Sequence, residues 1–443
     1  MNAKNTLKNS KTNEATVNLR WTDTALMSFN REYNTPFGET YAEGNENQII
    51  SKNIFLSPDD EKTRISNHIL AIGGPASGKT RCVVLPNLMR AYGSYIVMDP
   101  YGDLYKESYQ KLKEDGYNIK VLDLINPSTS EHYNPLLYIK DETDVRKLVN
   151  CLLENTIIDD NPNDLFWINS EETLLCAIIL YLINYVPKKE LTFSTVLKYT
   201  SLLGKNEKEF EGMIENKLEK DSKNIVTHYY NKYKTAPEKT RHTIADIAVK
   251  RLNKFIGQEN SDLTVDDSIA LDTIGDTKTA IFLTGFHLAK YQTTLVPMLC
   301  MQAFDLLIAH AADDCEIHHL PYHVTLILDE FALLGVIPEL VHSLSVSKSY
   351  GVSAILIAQT IGQIEEIYKD DAETILSLCG SIIFLGNGNL ISDSDSKTYI
   401  TQRVATEFSK DFSVSDPGSL IDDKNCLVFM WDMPPFLDKK YQM

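Results

Sequence analysis

The sequence predicts an α/β fold in which a mainly parallel sheet, covered by helices on both faces, is interrupted by an all-α domain. Short, nearly continuous apolar runs recur along the chain, the mark of strands buried on both faces. Helix-length segments alternate with them, as parallel pairing requires. Between about 141 and 262 the strand-like runs vanish and helical spacing takes over.

Residues 1–55 are polar and mixed, with one amphipathic segment at Trp21–Phe29, and read as an N-terminal arm. Strands are expected at Ile69–Ile72, Tyr95–Met98 and Ile119–Leu122, within a first α/β part at 56–140. Helices at Val145–Asn155, Leu165–Tyr185, Ser194–Leu203, Glu207–Lys220, Ile225–Thr235 and Thr240–Phe255 make up the inserted domain, 141–262. Asn161-Pro162-Asn163-Asp164 supplies a helix cap there, and Gly204 and Pro237 punctuate the block. Strands return at Thr279–Thr284, Val324–Leu328, Ala354–Ala358, Ser381–Leu385 and Leu427–Trp431, with helices across 291–312, 332–349, 361–378 and 395–409. These form the second α/β part, 263–443.

The chain has 443 residues, 43% hydrophobic and 23% charged, enough for two domains or one domain with a large insertion. A net charge of −18 argues against a general nucleic-acid-binding surface. The charge is uneven: between Lys217 and Lys254 ten Lys or Arg stand against four Asp or Glu. Lys232, Lys234, Lys239 and Arg241 are the candidate contacts to DNA or an acidic cargo; the alternative is a solvated helix face. Tyr229, Tyr230 and Tyr233 offer base stacking or, alternatively, core packing. Seven scattered cysteines without a C-x-x-C pair imply reduced thiols. Cys315, His318 and His319 read as surface residues. No signal peptide is visible, and the apolar stretches Leu174–Val186 and Leu295–Ala312 read as buried helices, so a soluble chain is expected.

The chemistry is carried first by Gly73-Gly74-Pro75-Ala76-Ser77-Gly78-Lys79-Thr80, set between the apolar run His68–Ile72 and the helix-like Arg81–Leu85. Strand, glycine-rich turn and helix are the context that makes G-x-x-x-x-G-K-[ST] a phosphate loop. Backbone N–H groups curl round the anion at a helix N-terminus. Lys79 reaches the β- and γ-phosphates of ATP, and Thr80 gives its hydroxyl to Mg²⁺.

The strand Val324–Leu328 then delivers Asp329 and Glu330 at its carboxyl edge, where ligands of such sheets bind. Asp329 is the expected Mg²⁺-ordering acid and Glu330 the residue that orients the attacking water. The alternative is a pair of acids capping a helix at Phe331–Leu334. Gln359, at the mouth of the next strand, is placed to sense the γ-phosphate; Asp99 reaches the same edge. Lys348, 19 residues beyond Asp329, is a candidate trans-acting cation or else an exposed helix residue.

Taken in order, the motifs resemble a family. Gly73–Thr80 runs into Pro86-Asn87, followed by Asp99-Pro100-Tyr101-Gly102-Asp103-Leu104, Tyr133-Asn134-Pro135-Leu136, Phe166-Trp167 and Lys239-Thr240-Arg241. Leu328-Asp329-Glu330-Phe331, Ile357-Ala358-Gln359 and the ending Pro434–Tyr441 complete the series. From about Trp21 to Tyr441 the chain resembles the type IV coupling proteins of bacterial conjugation and secretion, the TraG-like ATPases.

That resemblance implies a RecA-like P-loop NTPase with an inserted all-α domain, assembled as a hexameric ring. It implies ATP hydrolysis coupled to delivery of relaxase-bound single-stranded DNA to type IV secretion channel proteins, with the all-α domain contacting cargo. Family members commonly begin with transmembrane helices; here none is seen. A cytoplasmic protein, peripheral at the inner face of the bacterial plasma membrane and recruited there by a separate membrane protein through residues 1–55, is therefore expected. Tyr101 and Asp103 stand where the family often has Lys and Glu, and Lys348 where an Arg is expected. The alternatives are an ATP-gated cargo receptor with little translocase activity, or another DNA translocase of the same fold.

Overall fold

The computed structural model describes residues 20–21, 47–58, 65–156, 165–218, 225–285, 294–386, 394–407, 421–430 and 435–443. Most of the expected arm, the cap at Asn161–Asp164, residues 219–224 of the basic stretch and Trp431–Pro434 lie outside them.

Strands β1 (Arg20–Trp21), β4 (Ile69–Ile72), β5 (Ser94–Asp99), β6 (Asn118–Asp123), β7 (Thr279–Thr284), β8 (Val324–Leu328), β9 (Val352–Ala358), β10 (Ser381–Leu385), β11 (Asn425–Met430) and β12 (Phe436–Lys439) form one sheet. Its order is β1-β12-β11-β10-β4-β9-β8-β5-β7-β6. Every pairing is parallel except the two made by β11. The carboxyl ends of β4, β5, β8, β9 and β10 therefore share one edge. A hairpin of β2 (Gln48–Ile49) and β3 (Phe55–Leu56) stands beside the sheet.

The strands read as unbroken apolar runs because both faces are covered. Side chains alternate between two cores, as a period of two dictates. Leu70, Ile72, Met98, Leu326 and Phe384 enter one; Ile69, Ala71, Val97, Ile327 and Ile383 enter the other. The second core is closed by a π-helical turn, Thr80–Val84, that runs into α1 (Leu85–Met89), and by α2 (Asp103–Glu114).

Between β6 and β7 the chain forms α3 (Glu142–Asn155), α4 (Leu165–Tyr185), α5 (Phe193–Lys205), α6 (Glu207–Leu218), α7 (Ile225–Lys234) and α8 (Glu238–Leu263). Asp141 starts α3, its Oδ1 accepting from the backbone of Thr143 and Asp144. Gly257 kinks α8 with φ 47. Arg251 forms a buried bidentate pair with Glu171 and donates to the carbonyls of Leu153 and Thr156, tying α8 to α4 and α3. The apolar side chains of this block, such as Leu175, Phe193 and Phe255, belong to the same continuous core as Leu70 and Met98 of the sheet.

Beyond β7 lie α9 (Leu295–Asp313), α10 (Leu340–Ser347), α11 (Ile361–Tyr368), α12 (Ala372–Leu378) and α13 (Ser394–Glu407). α4 and α9 are long and apolar enough to cross a membrane, and most of each is buried in the protein. Two expected helices are broken. In place of one helix over 332–349, a 3₁₀ turn at Phe331–Leu333 leads through Gly335 (φ 86) and Pro338 to α10. The helix expected over 361–378 is interrupted at Lys369 (φ 48) and splits into α11 and α12. β12 was not anticipated, because two apolar residues followed by Asp438 and Lys439 carry too little pattern.

Candidate functional site

The phosphate loop sits between the ends of β9 and β10. The Gly73 N–H donates to the Ala358 carbonyl (3.2 Å). A Cβ on Gly73 would collide with the Leu385 carbonyl and the Ser77 hydroxyl, so only glycine lets the loop lie this close to β10. Gly78 has φ 91, turning the backbone into the helix. Pro75, Ala76, Thr80 and Arg81 are exposed at the rim, while Gly74 and Gly78 are half-buried. Ser77 is buried, and its hydroxyl has no hydrogen-bond partner among the described residues.

Lys79 is buried too. Its Nζ donates to the carbonyls of Gly73 (2.6 Å) and Gly74 (3.1 Å). Burial lowers its pKa, while the carboxylates of Glu330 and Asp329 oppose the shift.

The acid strand meets the loop directly. Asp329, at the end of β8, accepts from the Thr80 hydroxyl at 3.0 Å through Oδ2 and from the Glu330 N–H at 3.1 Å through Oδ1. Burial raises its pKa to about 6; the Thr80 hydrogen bond pulls the other way, and the Glu330 charge adds to the rise. Glu330 is held at φ 56, ψ 40, a costly conformation for a non-glycine residue and one that recurs at functional sites. It makes no side-chain cap to the 3₁₀ turn that follows. Instead its Oε2 accepts from Gln359 Nε2 at 3.2 Å. Gln359 is left free for this because the neighbouring Thr360 caps α11, accepting from the Gln363 N–H.

The other candidates fall elsewhere. The Asp99 carboxylate is occupied in starting α2, accepting from the N–H groups of Asp103 (3.0 Å) and Tyr105 (2.8 Å). Lys348 ends α10 just before β9, at the sheet edge opposite the loop, where its charge bears on the buried His68. Lys232 and Lys239 are exposed, but Lys234 pairs with Glu211 and Arg241 with Glu207 (2.8 Å) inside the helical block. Tyr229, Tyr230 and Tyr233 are buried, with their hydroxyls on Glu142, Glu211 and the Arg241 carbonyl. These tyrosines pack in the core and offer no stacking face.

One neighbour of the loop escaped the sequence reading. Lys440, beyond β12, is buried and donates from Nζ to the Ser77 carbonyl (3.0 Å) and to the Gly386 carbonyl. Its only sequence signal was its place in the ending Pro434–Tyr441.

Residues 20–425 match the family described as Type IV secretory system Conjugative DNA transfer. Protein VirD4 of Rhizobium radiobacter is 22% identical over 403 residues, covering 85% of this chain and 56% of that protein. A probable conjugal transfer protein TraG of Sinorhizobium fredii is 22% identical over 348 residues, 76% of this chain and 52% of the relative. The chain thus spans about half the length of these relatives. Among solved structures, the bacterial conjugative coupling protein TrwBdeltaN70 superposes with a TM-score of 0.65 at 12% identity, covering 94% of this chain and 91% of that one. The plasmid coupling protein TrwB in complex with ADP and Mg²⁺ superposes with a TM-score of 0.61 at 15% identity, covering 89% of each. The RecA-like fold expected from the sequence is the fold these neighbours share.

Proposed function

The chain belongs to the type IV secretory system conjugative DNA transfer family, and we propose that it is an ATP-hydrolysing coupling protein that helps pass a relaxase–single-stranded DNA or protein substrate to a secretion channel. The observation that carries this reading is the Thr80–Asp329 hydrogen bond, which joins the phosphate loop to the acid strand. A hydroxyl and a carboxylate in contact are the donor set Mg²⁺ takes beside a nucleotide. The loop fits a triphosphate: the Gly73 cradle admits no Cβ, and the buried Ser77 hydroxyl lacks a partner among the described residues.

Thr80 and Asp329 would hold the cation. Mg²⁺, when bound, neutralises charge that builds on the phosphoryl oxygens. Lys79 exchanges its two loop carbonyls for the phosphates. Glu330 orients and polarises the attacking water, and the Gln359 amide fixes the Glu330 carboxylate that does so. Nucleotide and Mg²⁺ in the TrwB complex support the same reading.

A homo-hexamer recruited to the inner membrane face by a separate membrane protein through residues 1–55 is part of the proposal. A second reading, an ATP-gated cargo receptor, is favoured by the net charge of −18 and by the internal pairing of Lys234 and Arg241. Steady-state ATPase activity of the purified chain, with and without single-stranded DNA, separates the two. DNA stimulation supports a motor. ATP binding with DNA-indifferent, slow turnover supports the receptor, and absence of ATP binding removes both.

A further inference from the structure

Lys440 is an unusual lysine. It is 6% exposed, and the two hydrogen bonds its Nζ makes among the described residues go to backbone carbonyls, those of Ser77 and Gly386. A buried ammonium is tolerated only when fully engaged, because desolvating the charge is costly. Burial lowers its pKa, and the groups that oppose this are Cys82, Cys426, Asp423 and Asp422. Both carbonyls belong to the nucleotide site's own frame. Ser77 is in the phosphate loop, and Gly386 follows Leu385, whose carbonyl touches the place a Cβ on Gly73 would take.

We propose that Lys440 is a positioning residue of the nucleotide site, clamping the phosphate loop to the end of β10 from behind and adding a fixed positive charge beneath the anion. The proposal rests on the reading of Gly73–Thr80 as an ATP site. In a planar trans peptide the C=O and N–H point opposite ways, so holding the Ser77 carbonyl toward Lys440 directs the Gly78 N–H away from it, fixing one donor of the loop before ligand arrives. The chain beyond β12 thereby becomes part of the site, although it lies 363 residues from Ser77 in sequence.

A neighbouring contact provides the control. Asp438 ties β12 to the hairpin loop, accepting from Ser51 Oγ, from the Asn53 N–H (2.9 Å) and from Asn53 Nδ2 (2.7 Å). Binding of a fluorescent ATP analogue with Mg²⁺ to the full chain should weaken at least tenfold in Lys440→Met, recover to within about threefold of wild type in Lys440→Arg, and stay unchanged in Asp438→Asn at a temperature where all are folded. Equal affinity in wild type and Lys440→Met overturns the clamp while leaving the ATP site standing. Failure of the wild type to bind removes both. Should the Met variant not fold, amide exchange in the wild type decides: Mg²⁺ and the ATP analogue should slow exchange in 436–443 as well as in 66–84. Slowing confined to 66–84 overturns the proposal.

Discussion

Lys79 binds its own loop, and that fixes what its removal does. Its ammonium sits on two carbonyls of the turn it serves. Lys79→Ala should therefore leave the fold intact and weaken ATP binding by about 1.5–3 kcal/mol, roughly ten- to a hundredfold, the range for hydrogen bonds to charged groups. Equilibrium binding of a fluorescent analogue checks this; unchanged affinity would remove the site. Glu330→Gln should retain binding and lose turnover by about 10²–10⁴-fold, because an amide cannot polarise water as a carboxylate does. Full turnover in single-cycle assays would return Glu330 to a structural role. A third prediction belongs to two histidines. His68 is buried and neutral, with Nε2 on the Leu344 carbonyl and Nδ1 accepting from the Ala354 N–H. Burial lowers its pKa from 6.5 to about 4, and that of His323 to about 3. Below pH 6.5 the unfolded chain takes up protons at both positions that the folded chain refuses. Stability is thus fully present above about pH 6.5 and is lost as pH falls toward 4, by about 2 kcal/mol per histidine between pH 7 and 5. Urea midpoints at the two pH values measure it, and His68→Gln should flatten the slope by about half. A slope unaffected by His68→Gln would show that other groups carry it.

The segment linking β8 to α10 shows why a helix was expected over 332–349 and is not there. Leu333, Leu334, Val336 and Ile337 look like a helix face. Yet Asn155, the last residue of α3, takes the Val336 backbone into a two-way hydrogen bond, accepting from its N–H and donating to its carbonyl, both at 2.8 Å. The Asn155 amide oxygen occupies the space where a side chain on residue 335 would begin, so Gly335 is required. Lys147 of α3 binds Glu339 (2.8 Å) at the far end of the same segment. A contact between positions 181 apart overrides local spacing, which is why this break was not legible while β4, β7, β8 and β10, set by their own apolar runs, were. Asn155→Ala should lower stability by about 2–3 kcal/mol, since it strands two Val336 groups. Thermal melting measures this, and a loss below about 0.5 kcal/mol would show that the segment is held by other contacts.

Across the molecule, the proposed nucleotide site was legible wherever a motif is written into a few consecutive residues. Gly73–Thr80 and Asp329-Glu330 announce themselves locally, and the alternating runs around them give the sheet edge on which they meet. The contacts of Lys440 were not legible, because they are set by pairing at a distance. The packing of the helical block was hidden for the same reason: periodicity marks it as helical, yet cannot say that its apolar face is shared. Since Leu175, Phe193 and Phe255 lie in one core with the sheet, residues 141–262 expressed alone should give a helical circular dichroism spectrum and also bind hydrophobic dye or self-associate. A monomeric, dye-silent fragment would mean that the block closes its own core. The register Asn118↔Thr279 to Asp123↔Thr284 places β6 and β7 side by side and parallel, so everything between them is a single crossover connection, grown to domain size. For the history of such a gene this sets where length can change. Insertions and deletions can accumulate near α6 without altering strand order or register. Loss of α3 would remove the Asn155 and Lys147 contacts that hold the segment between β8 and α10, so a descendant that trims this crossover must keep α3 or fix that segment in another way.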